Sequence, residues 1–384
     1  MKYFLYLSVC IIALCSCNGI SSPKEEISAD SLFQQIDSLF AKEDEYSDTV
    51  VIKYAKGLQV NYRRDGVHVF ISNPDPSVKH GKSEEIIVKE PSDKFICTTA
   101  LQLGNFEILG LENYVVGMNS LKNLFAPNIK KQIRDGRTKM IGKEGNFDIE
   151  TVIAMKPDYI FVSASKHGGF EALKECGIPL ISHHGYKETN PLGQAEWIKL
   201  IGLLTGNTRR ANAVFADIEK KYLKLKHEVE RLDSINSMQS IELPTVASGR
   251  QVRDGWYIVG GKSYMAQIFK DSGAKYVMSD NDDSGGTTLD FEAAFAKSVD
   301  ADYWQLDGTY DGDFTLAVLS EDDVRYSDMK AYKQRNVIFC NFSQTPYREL
   351  SPVEPHIILA DFVKVFHPEI LPHYSPKYYK KIHY

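Results

Sequence analysis

Short apolar segments alternate with amphipathic segments along most of the chain from residue 93 onward. A short apolar run bounded by turn residues predicts a buried strand, and apolar positions three or four apart predict a helix. In the first half this pattern predicts strands at 95–99, 114–117, 159–163 and 179–182, and helices at 100–109, 148–155 and 170–176. Strands that alternate with helices imply βαβ units and a mostly parallel sheet.

The pattern changes between residues 191 and 235. Residues 191–204 predict one helix, and Thr208 can cap a second helix that continues through 232. The apolar stripe of the second helix consists of Val214, Ile218, Tyr222, Leu225, Val229 and Leu232. Because these positions are three or four residues apart, they share one helical face. Residues 209–232 would span roughly 36 Å at 1.5 Å per residue, which indicates a long connecting helix.

The first pattern then returns and a short sequence recurs within it. Strands are predicted at 245–248, 276–278, 303–306 and 337–341, and helices at 263–271, 290–297, 328–334 and 352–366. Three residues of the first block recur 142 positions later in the second: Asp148, Glu150 and Ala154 as Asp290, Glu292 and Ala296. A repeat embedded in the same order of elements predicts two similar α/β lobes on either side of the helix.

The N-terminal segment changes the expected compartment. Residues 1–16 have one lysine followed by an apolar run of signal-peptide length, too short for an ordinary membrane span. The segment that ends at Cys17 resembles a bacterial lipobox, and this resemblance implies that Cys17 is lipidated and becomes the mature N-terminus. A signal peptide cut elsewhere is the alternative. Residues 17–46 are polar and predict a tether, and alternation between 49 and 90 predicts β-hairpins.

Composition excludes several classes of protein. The 384 residues are 43% hydrophobic and 25% charged, as in ordinary globular proteins, which excludes a disordered chain or a multi-span membrane protein. The net charge is −6 and no long basic run occurs, so a nucleic-acid partner is not expected. Six cysteines in a chain of this length do not form a disulfide framework.

The repeated motif, the lipobox and the long helix together resemble class III periplasmic solute-binding proteins over residues 93–372. The most specific match is the segment 147–162, FDIETVIAMKPDYIFV. The resemblance implies an α/β fold of two Rossmann-like lobes joined by a single long helix. The N-terminal lobe with extra hairpins would occupy 47–187, the connecting helices 188–235 and the C-terminal lobe 236–384.

The resemblance also implies a function and partners. The protein would be a monomer in the periplasm, lipid-anchored to a bacterial membrane. It would capture an iron–siderophore, haem or cobalamin-type ligand between the lobes and deliver it to an ABC permease and ATPase. No catalytic role and no cofactor are expected, since the P-loop, nucleophile-elbow and His-Glu-x-x-His motifs are missing from the sequence. A free metal-ion-binding protein of the same superfamily and a non-transport surface lipoprotein are the alternatives.

Candidate ligand contacts follow from aromatic and cationic residues in loops after predicted strands, where α/β folds bind ligands. Trp256 and Tyr257 lie in a glycine-flanked segment, and flat aromatic rings suit a large conjugated ligand. The other candidates are Arg250, Tyr310, Arg348, Tyr186, Asn119 and Thr98. The arginines could pair with an anionic ligand group, and ordinary surface charge is the alternative.

Two further groups have competing interpretations. Glu150 and Glu292 each follow an aspartate that can cap a helix, and a glutamate in a first helical turn complements the helix dipole. The family resemblance instead implies that they dock arginines of the two permease subunits. His183 and His184 suggest a metal site, but such a site needs three or four convergent ligands, so none is predicted.

Overall fold

The computed structural model describes residues 42–76, 78, 83–119, 124–143, 145–163 and 170–383. The predicted signal peptide, Cys17 and most of the tether lie outside these residues. Within the described part of the chain, no helix is both long and apolar enough to cross a membrane.

An antiparallel sheet precedes the first lobe, as the alternating pattern predicts. Its strands, in spatial order, are β1 (Leu58–Arg63), β2 (Gly66–Ile71) and β3 (Glu84–Val88). A two-residue turn joins the first two strands, and Gly66 adopts a φ of 141°, which favours glycine. We call residues 42–91 the N-terminal extension.

Two buried glutamates fasten the N-terminal extension to the segment that connects the lobes. Glu196 is fully buried, and its carboxylate accepts hydrogen bonds from the backbone N–H groups of residues 53, 54 and 55 at 2.6–3.0 Å. Glu188 accepts N–H groups from residues 56 and 57 at 3.1 and 2.9 Å. Because hydrogen bonds to a carboxylate are stronger than neutral ones, residues 53–57 of the N-terminal extension are held firmly against this connecting segment.

The first lobe contains a five-stranded parallel sheet. In spatial order its strands are β10 (Leu180–Ser182), β9 (Tyr159–Val162), β4 (Phe95–Cys97), β5 (Val115–Met118) and β6 (Lys139–Met140). A separate two-stranded pairing is formed by β7 (Gly142–Lys143) and β8 (Asn146–Phe147). The helices are α1 (Ala100–Ile108), α2 (Pro127–Arg134), α3 (Ile149–Met155) and α4 (Glu171–Glu175). The prediction of a parallel sheet is confirmed.

Three helices connect the lobes: α5 (Pro191–Glu196), α6 (Ile198–Leu204) and α7 (Thr208–Met238). The predicted apolar stripe of α7 is largely buried, with Val214, Ile218, Tyr222 and Val229 each at most 2% exposed. The Tyr222 hydroxyl donates a hydrogen bond to Asp271 of the second lobe at 2.6 Å. The long helix is therefore confirmed, and it extends six residues beyond the predicted end at 232.

The second lobe has the same kind of sheet. In spatial order its strands are β14 (Lys275–Tyr276), β11 (Thr245–Ser248), β16 (Tyr303–Gly308), β17 (Val337–Asn341) and the antiparallel edge strand β18 (Lys380–Lys381). A separate antiparallel sheet consists of β12 (Arg250–Val252), β13 (Gly255–Val259) and β15 (Gly286–Leu289). The helices are α8 (Tyr264–Asp271), α9 (Phe291–Ser298), α10 (Leu316–Asp322), α11 (Lys330–Lys333), α12 (Tyr347–Leu350) and α13 (Pro355–Phe366).

The repeated sequence has the same structure in both lobes. The side chains of Asp148 and Asp290 are N-caps, accepting the N–H groups of Thr151 and Ala293 at 3.0 and 2.9 Å. Further along the repeat, Asp158 accepts the N–H of Lys94 just before β4, and Asp302 accepts the N–H of Thr245 at the start of β11. Each aspartate ties its own strand to the first strand of its lobe, which confirms two similar α/β units.

Candidate functional site

Contacts between distant residues show that the carboxyl ends of the two parallel sheets face each other. The Glu349 carboxylate, on α12 after β17, accepts hydrogen bonds from the N–H groups of Phe125 and Ala126, which follow β5. The Asp75 carboxylate accepts hydrogen bonds from Lys187, which follows β10, and from the hydroxyl of Ser284, which precedes β15 of the second lobe. Because open α/β sheets bind ligands outside the carboxyl ends of their strands, the cleft between the lobes is the candidate ligand site.

Tyr257 is an exposed aromatic residue that the second lobe presents to this cleft. The residue is 49% exposed, and its ring lies over Gly286 of the neighbouring strand. A Cβ at Gly286 would fall 1.9 Å from the Tyr257 hydroxyl oxygen, so only glycine leaves room for the ring. Partial burial, assisted by the Asp307 carboxylate, raises the pKa of Tyr257. The hydroxyl therefore stays protonated at neutral pH and can donate a hydrogen bond.

Asp307, near the end of β16, places a carboxylate next to this tyrosine. Its side chain is open to solvent, yet surrounding protein atoms desolvate it and raise its pKa. The Gln305 amide donates a hydrogen bond to it at 3.1 Å. This bond and the cations of Arg348 and Arg250 lower the pKa of Asp307, but desolvation outweighs them. An accessible carboxylate close to the carboxyl end of a parallel strand is positioned to contact a ligand.

Arg250 and Arg348 differ in whether a carboxylate of the protein already pairs with them. Arg250 forms an ion pair with Asp322, and its guanidinium lies 5.5 Å from the ring centre of Phe314. Arg348 is exposed and lies 4.8 Å from the ring centre of Phe342, and no carboxylate is within ion-pair distance of it among the described residues. Arg348 is therefore the better placed of the two to pair with an anionic ligand.

Three other candidates occupy positions around the cleft. Tyr310 is held through its backbone by Asn341, and its ring packs edge-on against Phe314 with 5.3 Å between ring centres. Tyr186 is half-buried, and its hydroxyl is shielded from solvent without a hydrogen-bond partner in the described structure. Asn119 is half-buried at the end of β5, next to residues 120–123, which are outside the described part. Their roles in ligand binding stay predictions.

Two predicted contacts are wrong for this structure because their side chains are buried in the lobes. Trp256 is fully buried, and its indole N–H donates a hydrogen bond to the Ser248 carbonyl at 3.1 Å. Trp304 and Tyr326 pack on it, with ring centres 5.8 and 5.5 Å away. Thr98 is 3% exposed, and its hydroxyl donates to the Phe161 carbonyl at 2.9 Å. Neither side chain offers surface to a ligand.

The error at Trp256 has a simple cause. The flanking glycines favour a loop around Arg250, Trp256 and Tyr257, but these residues lie on the strands β12 and β13. Alternate residues of a strand point to opposite faces. Trp256 therefore enters the core while Tyr257 points outward.

Asp307, Lys187 and Asp75 are cleft residues that the sequence did not identify. Asp307 could have been found, since it is a polar residue close to the carboxyl end of a predicted strand. Asp75 has no such signal, because it belongs to the N-terminal extension and reaches the cleft only through the fold.

The candidate docking glutamates are both exposed in the first turn of their helices. Glu292 forms an ion pair with Arg325 at 3.1 Å. Glu150 has no ion-pair partner among the residues that the structure describes. Both positions are accessible to another protein, and their docking role stays a prediction.

The histidine pair does not form a metal site within the described chain. His183 is buried between Phe161 and Trp197, and burial lowers its pKa to about 3. No group of three or more histidine, cysteine or carboxylate side chains in the described regions is arranged to hold a metal ion.

Comparison with known proteins identifies the family. The family model for periplasmic binding proteins matches residues 96–343, which is more than half of the chain. This chain belongs to the periplasmic binding protein family. An uncharacterized lipoprotein of Methanocaldococcus jannaschii is 23% identical over 359 residues, covering 84% of this chain and 83% of the relative.

Several solved structures share the fold. A periplasmic heme-binding protein from Pseudomonas aeruginosa matches this binding protein with a TM-score of 0.56 and 18% identity, over 72% of this chain and 93% of its own. An ABC-type Fe3+-hydroxamate transport protein from Saccharomonospora viridis matches with a TM-score of 0.54 and 17% identity, over 75% of this chain and 97% of its own. At these identities the likeness shows the fold alone.

Proposed function

We propose that this protein captures an iron–siderophore, haem or cobalamin-type ligand in the cleft and delivers it to an ABC permease. The observation that carries the proposal is the accessibility of three groups of the second lobe beside the cleft: the Tyr257 ring, the Arg348 guanidinium and the Asp307 carboxylate. The fold it shares with a haem-binding protein and an Fe3+-hydroxamate transport protein supports the same ligand class.

The chemistry of the cleft suits a large ligand with both flat and polar groups. The Tyr257 ring offers apolar contact and its protonated hydroxyl offers one donor. Arg348 can form two parallel hydrogen bonds with a carboxylate, such as a haem propionate or a siderophore carboxylate. These groups bind and orient a ligand, so we propose that the protein performs no chemistry of its own.

The direct test is calorimetry of the purified protein with haemin, ferrioxamine B, cyanocobalamin and, separately, Zn²⁺ and Mn²⁺. We expect one of the three chelates to bind, and Tyr257→Ala to weaken that complex by about 1–3 kcal/mol, the range for a well-packed aromatic contact. Arg231→Ala, an exposed change on α7, is the control and should leave affinity unchanged. Binding of a bare ion without any chelate would instead favour the free metal-ion protein.

Delivery requires a contact with the permease, which we assign to Glu150 and Glu292. Carboxylates that are widely separated on one protein can fix both the orientation and the register of a partner that carries arginines. Their matching positions in the two lobes support this assignment.

We also propose that Cys17 carries the lipid anchor and places the protein at a bacterial membrane surface on the extracytoplasmic side. The lipoprotein relative from Methanocaldococcus jannaschii supports an anchor. Replacing Cys17 by alanine should abolish incorporation of labelled palmitate and shift the protein to the aqueous phase in detergent partitioning. Membrane partitioning equal to the wild type would contradict this assignment.

A further inference from the structure

The N-terminal extension reaches across the cleft to the second lobe. Asp75 lies in the connection between β2 and β3, and its Oδ1 accepts a hydrogen bond from the Ser284 hydroxyl at 2.8 Å. Its Oδ2 accepts a hydrogen bond from the Lys187 ammonium of the first lobe at 3.2 Å. Asp75 is only 8% exposed. One nearly buried carboxylate therefore joins both lobes.

Both ends of this contact are held in place by their own connections. The Asp75 N–H donates to the Asn73 side chain at 3.0 Å, forming a tight turn. On the other side, the carbonyl oxygens of Asp283 and Gly285, which flank Ser284, accept the N–H groups of Lys262 and Gly260 at 2.9 and 2.7 Å. These local hydrogen bonds fix the backbone at Asp75 and beside Ser284.

The contact lies directly beside the proposed ligand site. Ser284 is two residues before Gly286, the glycine that supports the Tyr257 ring. Lys187, the other partner of Asp75, is the cation that acts on the Tyr257 hydroxyl. The bond between Asp75 and Ser284 therefore lies next to the Tyr257 ring, at the edge of the proposed ligand site.

We propose that Asp75 and Ser284 form a latch across the cleft, and that this latch slows both entry and exit of ligand. The inference rests on the proposed function, because it concerns access to the same site. The N-terminal extension supplies the first-lobe half of the latch, which gives it a role in ligand exchange. The latch lies between the lobes and not on the ligand, so it governs rates more than affinity.

The test compares Ser284→Ala with wild type by stopped-flow mixing, using whichever of haemin, ferrioxamine B or cyanocobalamin binds. A hydrogen bond to a charged group typically changes an equilibrium by about tenfold or more, so both association and dissociation should be about tenfold faster. The dissociation constant should stay within about twofold of wild type, because the two rates change together. Asp75→Asn should change the rates in the same direction.

Ser279→Ala is the matched control, since Ser279 is exposed in the same connection and its hydroxyl has no partner among the described residues. The control should leave both rates unchanged, and thermal melting should show that all three variants are folded. An association rate equal to wild type in Ser284→Ala would overturn the latch. A change in the dissociation rate alone would also overturn it, because such a change would mean that Ser284 contacts the ligand directly.

A second measurement does not depend on the ligand. Amide hydrogen exchange of residues 72–76 and 283–289 should be faster in Ser284→Ala, with β11 unchanged. If none of the three probes binds, the proposed function fails, and amide hydrogen exchange alone tests the latch. Unchanged exchange in both segments would then overturn it.

Discussion

The two lobes share a helix motif but build their walls of the cleft differently. In the second lobe, β13 pairs with both β12 and β15 and presents Tyr257 to the cleft. In the described part of the first lobe, the repeated motif is preceded only by the short pairing of β7 with β8. The N-terminal extension, which the family model does not cover, brings Asp75 to the cleft from this side. The shared motif therefore specifies the scaffold, and the elements added to each lobe specify the site.

The largest expected effect is a difference in the free energy of unfolding between substitutions on the inward and outward faces of β13. Trp256→Ala should lower the free energy of unfolding by about 3–5 kcal/mol, because it removes a fully buried aromatic side chain and leaves a cavity. Tyr257→Ala should lower it by less than about 1 kcal/mol, since surface changes outside the core usually cost little. Urea unfolding of both variants checks the contrast, and equal losses would mean that Tyr257 belongs to the core.

This contrast also shows how far the sequence predicts the molecule. Periodicity predicts the parallel strands, the long helix and the repeated caps, because each depends on residues close together in the chain. Trp256 could not be placed from its glycine neighbours, since glycine is common both in loops and in hairpins. The contact between Asp75 and Ser284 joins residues 209 positions apart. It depends on how the N-terminal extension packs on the lobes, which no local pattern encodes.

The second prediction concerns the aspartates that recur in the repeat. Asp302 accepts hydrogen bonds from the N–H and the hydroxyl of Thr245, both at 2.8 Å, and pairs with Lys330 at 2.7 Å. Asp158 accepts only backbone N–H groups among the described residues, from Asp93 and Lys94 at 3.2 and 3.1 Å. Asp302→Ala should cost about 2 kcal/mol and Asp158→Ala about 1 kcal/mol, because each leaves polar partners unsatisfied.

The contribution of Asp302 to stability should depend on pH with a defined sign. Burial alone would raise the pKa of Asp302, but its bonds from Lys330 and Thr245 outweigh burial and lower the pKa below the ordinary 3.8. A carboxylate with a depressed pKa stabilises the folded state above its unfolded pKa, and this contribution is lost as the pH falls through the folded value. The stability gap between wild type and Asp302→Ala should therefore narrow only below about pH 4. A stability difference between wild type and Asp302→Ala that stays constant from pH 7 to pH 2.5 would contradict the lowered pKa of Asp302.

The third prediction tests whether the repeated glutamates act as a pair. Charge reversal of both, Glu150→Arg with Glu292→Arg, should reduce ligand import in reconstituted vesicles by about tenfold or more, because two attractive contacts become repulsive. Ligand affinity should not change, since neither side chain contacts Tyr257, Asp307 or Arg348 among the described residues. Glu228→Arg with Glu230→Arg on α7 is the control for charge alone. Normal import by the first double variant would remove the docking role.

The smallest effect distinguishes the two glutamates from each other. Glu292 is held by Arg325, whose guanidinium lies 3.4 Å from the ring centre of Phe291 and also pairs with Asp323. Exposed pairs of this kind contribute about 0–1 kcal/mol, so Arg325→Ala should barely change unfolding. If Glu292 binds a permease cation, Arg325 competes for it, and Arg325→Ala should raise import or stimulated ATPase activity by up to about threefold. Arg231→Ala, which breaks the exposed pair with Glu228 on α7, should leave import and stimulated ATPase activity unchanged. A fall in import in Arg325→Ala would reverse the interpretation and make Arg325 itself the docking contact of the second lobe.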